Sequence, residues 1–179
     1  MTAILRHELS SYFTNVTGYV FGAFLLLFAG IYTMVINLQS ASPYFEYVLM
    51  NMDFIFLIIV PILTMRVIAE ERRQKTDQLL YSLPLTMTQV ALGKYLAMLV
   101  IFLIPVAIIG VYPLVLTAFG DVYLPAAYGA LVGFFFLGAS LIAIGMFISS
   151  LTESQAVAAG LGFVVMLVNY FLSSLASYV

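Results

Sequence analysis

The chain has 179 residues, of which 64% are hydrophobic and 8% charged, and a formal net charge of -2. Soluble domains are about a quarter charged, and a core of this length cannot bury so much apolar surface and still cover itself, so the composition fits bilayer rather than water. With no cysteine, disulfides and thiolate chemistry are excluded. The single histidine, His7, argues against a multi-histidine metal site, and the small net charge gives no pointer to nucleic acid.

In chain order, Leu5, Leu9, Tyr12 or Phe13 and Val16 recur at helical spacing, with Arg6 and Glu8 elsewhere on the wheel. That pattern predicts an amphipathic helix over 2–16, lying in the membrane interface. Gly18–Leu38 is uncharged and about as long as the 20 residues that cross a hydrocarbon core. It is too long for a signal-peptide core, so it is read as a retained span despite the small residues Ser40, Ala41 and Ser42 after it. A second span is predicted over 48–69, with Asp53 and Arg66 each about a turn from an end, where both can snorkel. The third, Tyr95–Phe119, contains Pro105 and Pro113, each expected to kink it. The fourth, Val122–Ile148, carries Gly129 and Gly133 at the GxxxG spacing that permits close helix approach. The fifth runs from Gln155 to about Tyr178 and opens with Ala156, Ala158, Ala159, Gly160 and Gly162, a face of small residues. The fold class is therefore all-α and polytopic, with one membrane domain over 1–179.

All six basic residues, Arg6, Arg66, Arg72, Arg73, Lys75 and Lys94, fall on the same side of a five-span arrangement. Basic flanks mark the cytoplasmic side, which places the N-terminus inside and residue 179 outside. Five of the six lie in Arg66–Lys94, the one extended charged stretch. Thr76 suits an N-cap, Asp77 suits the positive end of a new helix, and Leu79, Leu80 and Leu83 cluster on one face before Pro84 stops it. A short helix over about 76–84 is expected, its leucines meeting the bilayer surface or another protein.

These residues resemble a known family. Thr64-Met65-Arg66, Glu70-Glu71-Arg72-Arg73, Thr76, Leu79-Leu80, Pro84 and Leu92-Gly93-Lys94 are similar to the first cytoplasmic connection of ABC-2-type transporter permeases, with gliding-motility-associated permeases the nearest subgroup. Ile148 to Gln155, reading ISSLTESQ, is similar to their second cytoplasmic turn, through Thr152, Glu153 and Gln155. Lys75 and Gln78 stand where the family commonly has Gly and Glu. The resemblance also implies a sixth span preceded by short re-entrant helices, so either the natural frame continues past Val179 or another subunit completes the bundle.

The resemblance implies the transmembrane subunit of an ATP-binding-cassette transporter, in a bacterial cell membrane and working in export. It implies pairing with a second copy or a related permease, as a homo- or heterodimer. No GxxxxGK[ST] phosphate loop is present, so the chain is not expected to be an ATPase; ATP and Mg would be held by a separate ATP-binding subunit. In that reading Leu79, Leu80 and Leu83 carry force across the contact, and the charges from Glu70 to Lys75 set register. The alternative is a non-transporting scaffold or assembly factor that docks a soluble partner through 66–94. An intramembrane enzyme would need paired acids or a Ser–base pair within the spans, and none is evident.

Several single residues admit two readings. Arg66 either pairs with a carboxylate as part of a gate or, more commonly, snorkels to lipid phosphate. Glu70 and Glu71 are read as helix ion-pair partners of Arg73 and Lys75. Glu153 is either a partner contact or an N-cap. Asn169, mid-span, either lines a path or makes an interhelical hydrogen bond, the latter being favoured. Asn37 and Asp53 are expected near the outer interface, and His7 at the headgroups.

Overall fold

The computed structural model describes residues 2–14, 16–65 and 87–176. The apolar runs form helices because no polar alternative competes for their backbone groups, which must be satisfied internally in lipid. Helix α1 is Thr2–Thr14 and α2 is Val16–Tyr32, the latter running on into a π-helical stretch, Thr33–Gln39. Where the ladder widens, the Thr33 hydroxyl donates to the Ala29 carbonyl at 2.7 Å, a back-bond known to perturb helices. The turn that follows is closed by Asn37, whose amide donates to the Ser42 carbonyl at 2.8 Å, and Ala41 takes a φ of 51°.

Helix α3, Glu46–Thr64, is the hub. It packs against α2, against α6 (Leu124–Ser150) and against α7 (Gln155–Ala176). Helix α4, Met87–Ile109, packs against α1, α2 and α6. The result is a ring of α2, α3, α6 and α4, with α7 laid along the α3–α6 side and α1 along the α4–α2 side. Five helical stretches among the described residues are long and apolar enough to cross a membrane: Val16–Gln39, Glu46–Thr64, Thr88–Leu116, Leu124–Ser150 and Gln155–Leu172.

The two prolines of the third span behave differently. The helix passes Pro105 unbroken and stops at Ile109, after which Gly110 and Val111 form a turn and α5, Tyr112–Leu116, begins. Pro113 sits in the first turn of α5, where a missing N–H costs nothing. The break leaves the Gly110 carbonyl to the Tyr128 hydroxyl of α6, which donates to it at 3.1 Å.

At the centre of the ring the core is aromatic. Phe56 of α3 stacks on Phe134 of α6 with centroids 4.7 Å apart, and Phe102 of α4 stacks on Phe135 at 5.7 Å and 6°. Phe21 of α2 meets Phe102 edge-on at 6.2 Å. This cluster rests on Gly138, where an added Cβ would run into the Phe102 ring, and toward the helix end Gly145 admits the Thr64 side chain in the same way. These two glycines, not Gly129 and Gly133, bring α6 against its neighbours. Around Gly129 and Gly133 nothing lies within 4 Å of the Cβ position, so the predicted GxxxG face has no helix of the described residues against it. Of the small residues opening α7, Ala158 and Gly162 are buried and Met166 continues the stripe, with Gly162 beside Pro61 of α3.

Candidate coupling site

Residue 65 leaves α3 and residue 87 enters α4 at one end of the bundle, here called the connector end. The residues expected to form the coupling helix, namely Glu70, Glu71, Arg72, Arg73, Thr76, Leu79, Leu80, Leu83 and Pro84, lie outside the described residues, as do Arg66, Lys75 and Gln78 and the side chain of His7. What the structure does describe is the frame on which that segment is mounted.

Two contacts build this frame. On the α3 side, the buried Ser149 hydroxyl of α6 donates to the Met65 carbonyl at 3.4 Å, a long bond across 84 residues of sequence. It sits just beyond the Thr64–Gly145 approach, so α3 and α6 arrive at the connector end in close contact. The Thr64 hydroxyl turns back to the Val60 carbonyl at 2.9 Å, which leaves its methyl for the glycine. The turn between α6 and α7 therefore lies beside the point where the 66–86 segment begins.

In that turn Thr152 and Ser154, not Glu153, make the local bonds. The Ser154 N–H donates to the Thr152 hydroxyl at 3.2 Å, and the Ser154 carbonyl accepts from the Ala158 N–H at 2.9 Å, starting α7. Glu153 is exposed and has no hydrogen bond or ion pair among the described residues. Glu153 therefore makes no cap bond among the described residues, and its side chain is exposed. Gln155 is half-buried at the first turn of α7.

On the α4 side the second contact is an ion pair. Lys94 Nζ lies 3.3 Å from Glu8 Oε1, with side chains only 4% and 16% exposed. Lys94 is not a wet end of the charged stretch; it is drawn into the joint between α1 and α4. Leu9 and Tyr12 of the leader pack against the core beside it, while Phe13 and Val16 of the predicted stripe remain exposed. Turning Glu8 inward shifts the buried face of α1 from the one its hydrophobic spacing defines. Spacing scores apolar residues alone and misses a carboxylate whose partner lies 86 positions away.

Away from the connector end, Asp53 of α3 and Asn169 of α7 line one cavity with Ser140 of α6. The favoured interhelical hydrogen bond of Asn169 is not formed among the described residues. No local sequence pattern joins two positions so distant in the chain. No group of three or more His, Cys, Asp or Glu residues that could hold a metal exists among the described residues.

Five helices among the described residues, each long and apolar enough to cross a membrane, define a multi-pass membrane protein. The chain belongs to the ABC-2 family of transporter proteins, whose model matches residues 2–179. Members of that family are the membrane components of ABC transporters, and the resemblance of the two connector motifs accords with it. No curated protein and no solved structure matches the chain.

Proposed function

We propose that the chain is the transmembrane subunit of an ABC exporter, driven by a separate ATP-binding subunit that docks on the 66–94 connector and on the Thr152–Gln155 turn. The connector end is cytoplasmic in this reading, in a bacterial cell membrane, and two permease copies or two related permeases enclose the path. The similarity of Thr64–Lys94 and Ile148–Gln155 to gliding-motility-associated permeases makes that subgroup our finer assignment, with Lys75 and Gln78 as departures from it.

The observation that supports the reading is the Ser149–Met65 bond in a chain of this family, because it brings the second motif of the resemblance to the residue where the first begins to leave the bundle. ATP and Mg are held in the partner, which supplies the hydrolysis. In this chain, Leu79, Leu80 and Leu83 receive the push, and the charges from Glu70 to Lys75 fix the register of docking. Because α3 and α6 are locked at Thr64–Gly145, a displacement of the connector moves them together rather than bending one.

The test is co-purification of the full chain from its native membrane. The expected result is an associated subunit bearing a phosphate loop, with ATPase activity stimulated by the permease. Leu79→Asp with Leu80→Asp should reduce both association and stimulation to background and leave the thermal midpoint of the bundle unchanged. If the double variant retains both at parental levels, the docking assignment is wrong.

A further inference from the structure

We infer that the cavity between α3, α6 and α7 is a binding site for a singly charged organic cation with an apolar body, and that Asp53 is its counter-ion. The cavity is about 360 Å³, within the range of small-molecule sites. Asp53 lies seven residues into α3, about 10 Å along the helix at 1.5 Å per residue, where the uncharged run of the helix begins. A carboxylate at that depth is costly unless it is paired or faces a cavity, and this one has no hydrogen bond or ion pair among the described residues.

The rest of the lining suits the same ligand. Asn169 has no hydrogen bond among the described residues, so its amide oxygen can accept. The Ser140 hydroxyl spends its hydrogen on the Leu137 carbonyl at 2.7 Å, which leaves its oxygen as an acceptor toward the cavity. Tyr170, held edge-on to Phe54 at 6.1 Å, offers a ring beside the acid. Leu57 and Met166, both buried, provide an apolar wall. The site therefore holds one negative charge and several acceptors, and no cation among the described residues answers it.

That last point also selects the occupant. Every Lys and Arg of the chain lies at residues 6, 66–75 or 94, on the α1 side or at the connector, and none is on α3 beyond its connector end, α6 or α7. The inferred neutralising charge is that of a small molecule rather than of a described side chain of this chain. That this cation is the exporter's cargo rests on the proposed function; that it binds does not.

The experiment uses the full chain alone in phosphatidylcholine nanodiscs, titrated with ethidium and read by fluorescence against empty nanodiscs. Saturable binding is expected. Asp53→Asn should weaken it by about tenfold or more, the loss of one charge-assisted contact, while Asp53→Glu should stay within about threefold. Ser140→Phe, which fills the cavity and keeps the acid, should abolish binding, and the anion 8-anilinonaphthalene-1-sulfonate should not compete. The inference is overturned by the absence of a saturable signal above empty nanodiscs, or by parental affinity in either Asp53→Asn or Ser140→Phe. It is equally overturned if Ser140→Cys, the sole thiol in the chain, links two copies through the cavity. Because no ATPase is present, failure here leaves the docking of a partner untouched, and failure of docking leaves this result standing.

Discussion

Replacing Gly138 by Ala should lower the thermal midpoint of the purified protein by roughly 5–10 °C, the cost of overpacking a tight core by one methyl group. The added Cβ would meet the Phe102 ring closer than van der Waals contact allows and lie 3.2 Å from Phe56. Neither ring has room to retreat. Phe102 is held between Phe21, Phe56, Phe134 and Phe135, and Phe56 is stacked on Phe134. The strain passes instead to the separation of α4 from α6. Gly133→Ala should change the midpoint by about 1 °C at most, or raise it slightly, since its Cβ enters open space and Ala is the better helix former. Phe102→Leu combined with Gly138→Ala should recover part of the loss. A Gly138→Ala midpoint equal to that of Gly133→Ala, read by fluorescence-detected gel filtration after heating, would remove Gly138 from its place at the centre.

Lys94→Met should be the other costly change, destabilising by roughly 2–4 kcal/mol, because it strands the mostly buried Glu8 carboxylate without its partner. The companion change matters more for interpretation. Lys94→Met with Glu8→Leu should recover most of the loss, since a buried pair replaced on both sides by apolar groups is often close to neutral in stability. The coupling energy from that double-mutant cycle should be roughly 1–3 kcal/mol. Amide exchange over 2–14 should quicken in the single variant and return toward parental rates in the double. If the cycle shows no coupling, the leader is held by Leu9 and Tyr12 alone and the pair is incidental.

Much of the architecture was legible in the sequence because the membrane imposes length. The apolar runs near 18–38, 95–119, 122–148 and 155–178 are each long enough to cross, and the structure has five helices fit to do so. What length cannot give is the face each helix buries. These helices are apolar all round, so periodicity carries little information about which side meets protein and which meets lipid. Gly129 and Gly133 therefore looked like the packing pair on spacing alone, while Gly138 and Gly145, seven residues apart on the same helix, make the approaches. The third span shows the same limit in its backbone. Two prolines predict two kinks, but the break falls at Gly110–Val111, where Tyr128 is available to take the freed carbonyl, and Pro105 is absorbed.

The candidate sites divide along similar lines. The connector motif and the Thr152–Gln155 turn could be read locally as charge and capping patterns, but the bond from Ser149 to Met65, where the connector begins, is one that no local pattern encodes. Glu8 with Lys94, and Asp53 with Asn169, are pairs far apart in the sequence, at 86 and 116 positions. Asp53 in particular reads from sequence as an interfacial acid near a helix end. Only the placement of α7 across the α3–α6 groove gives it a cavity to face.

The central claim is that the two connector motifs form one docking surface for one ATP-binding subunit. Photo-crosslinking tests it most directly, with a photoreactive residue placed singly at Leu80 and at Glu153 in the full chain in its native membrane. The prediction is that both positions capture the same phosphate-loop-bearing subunit, and that Leu79→Asp suppresses capture from both. Capture of that subunit from neither position, or of different proteins from the two, would contradict it.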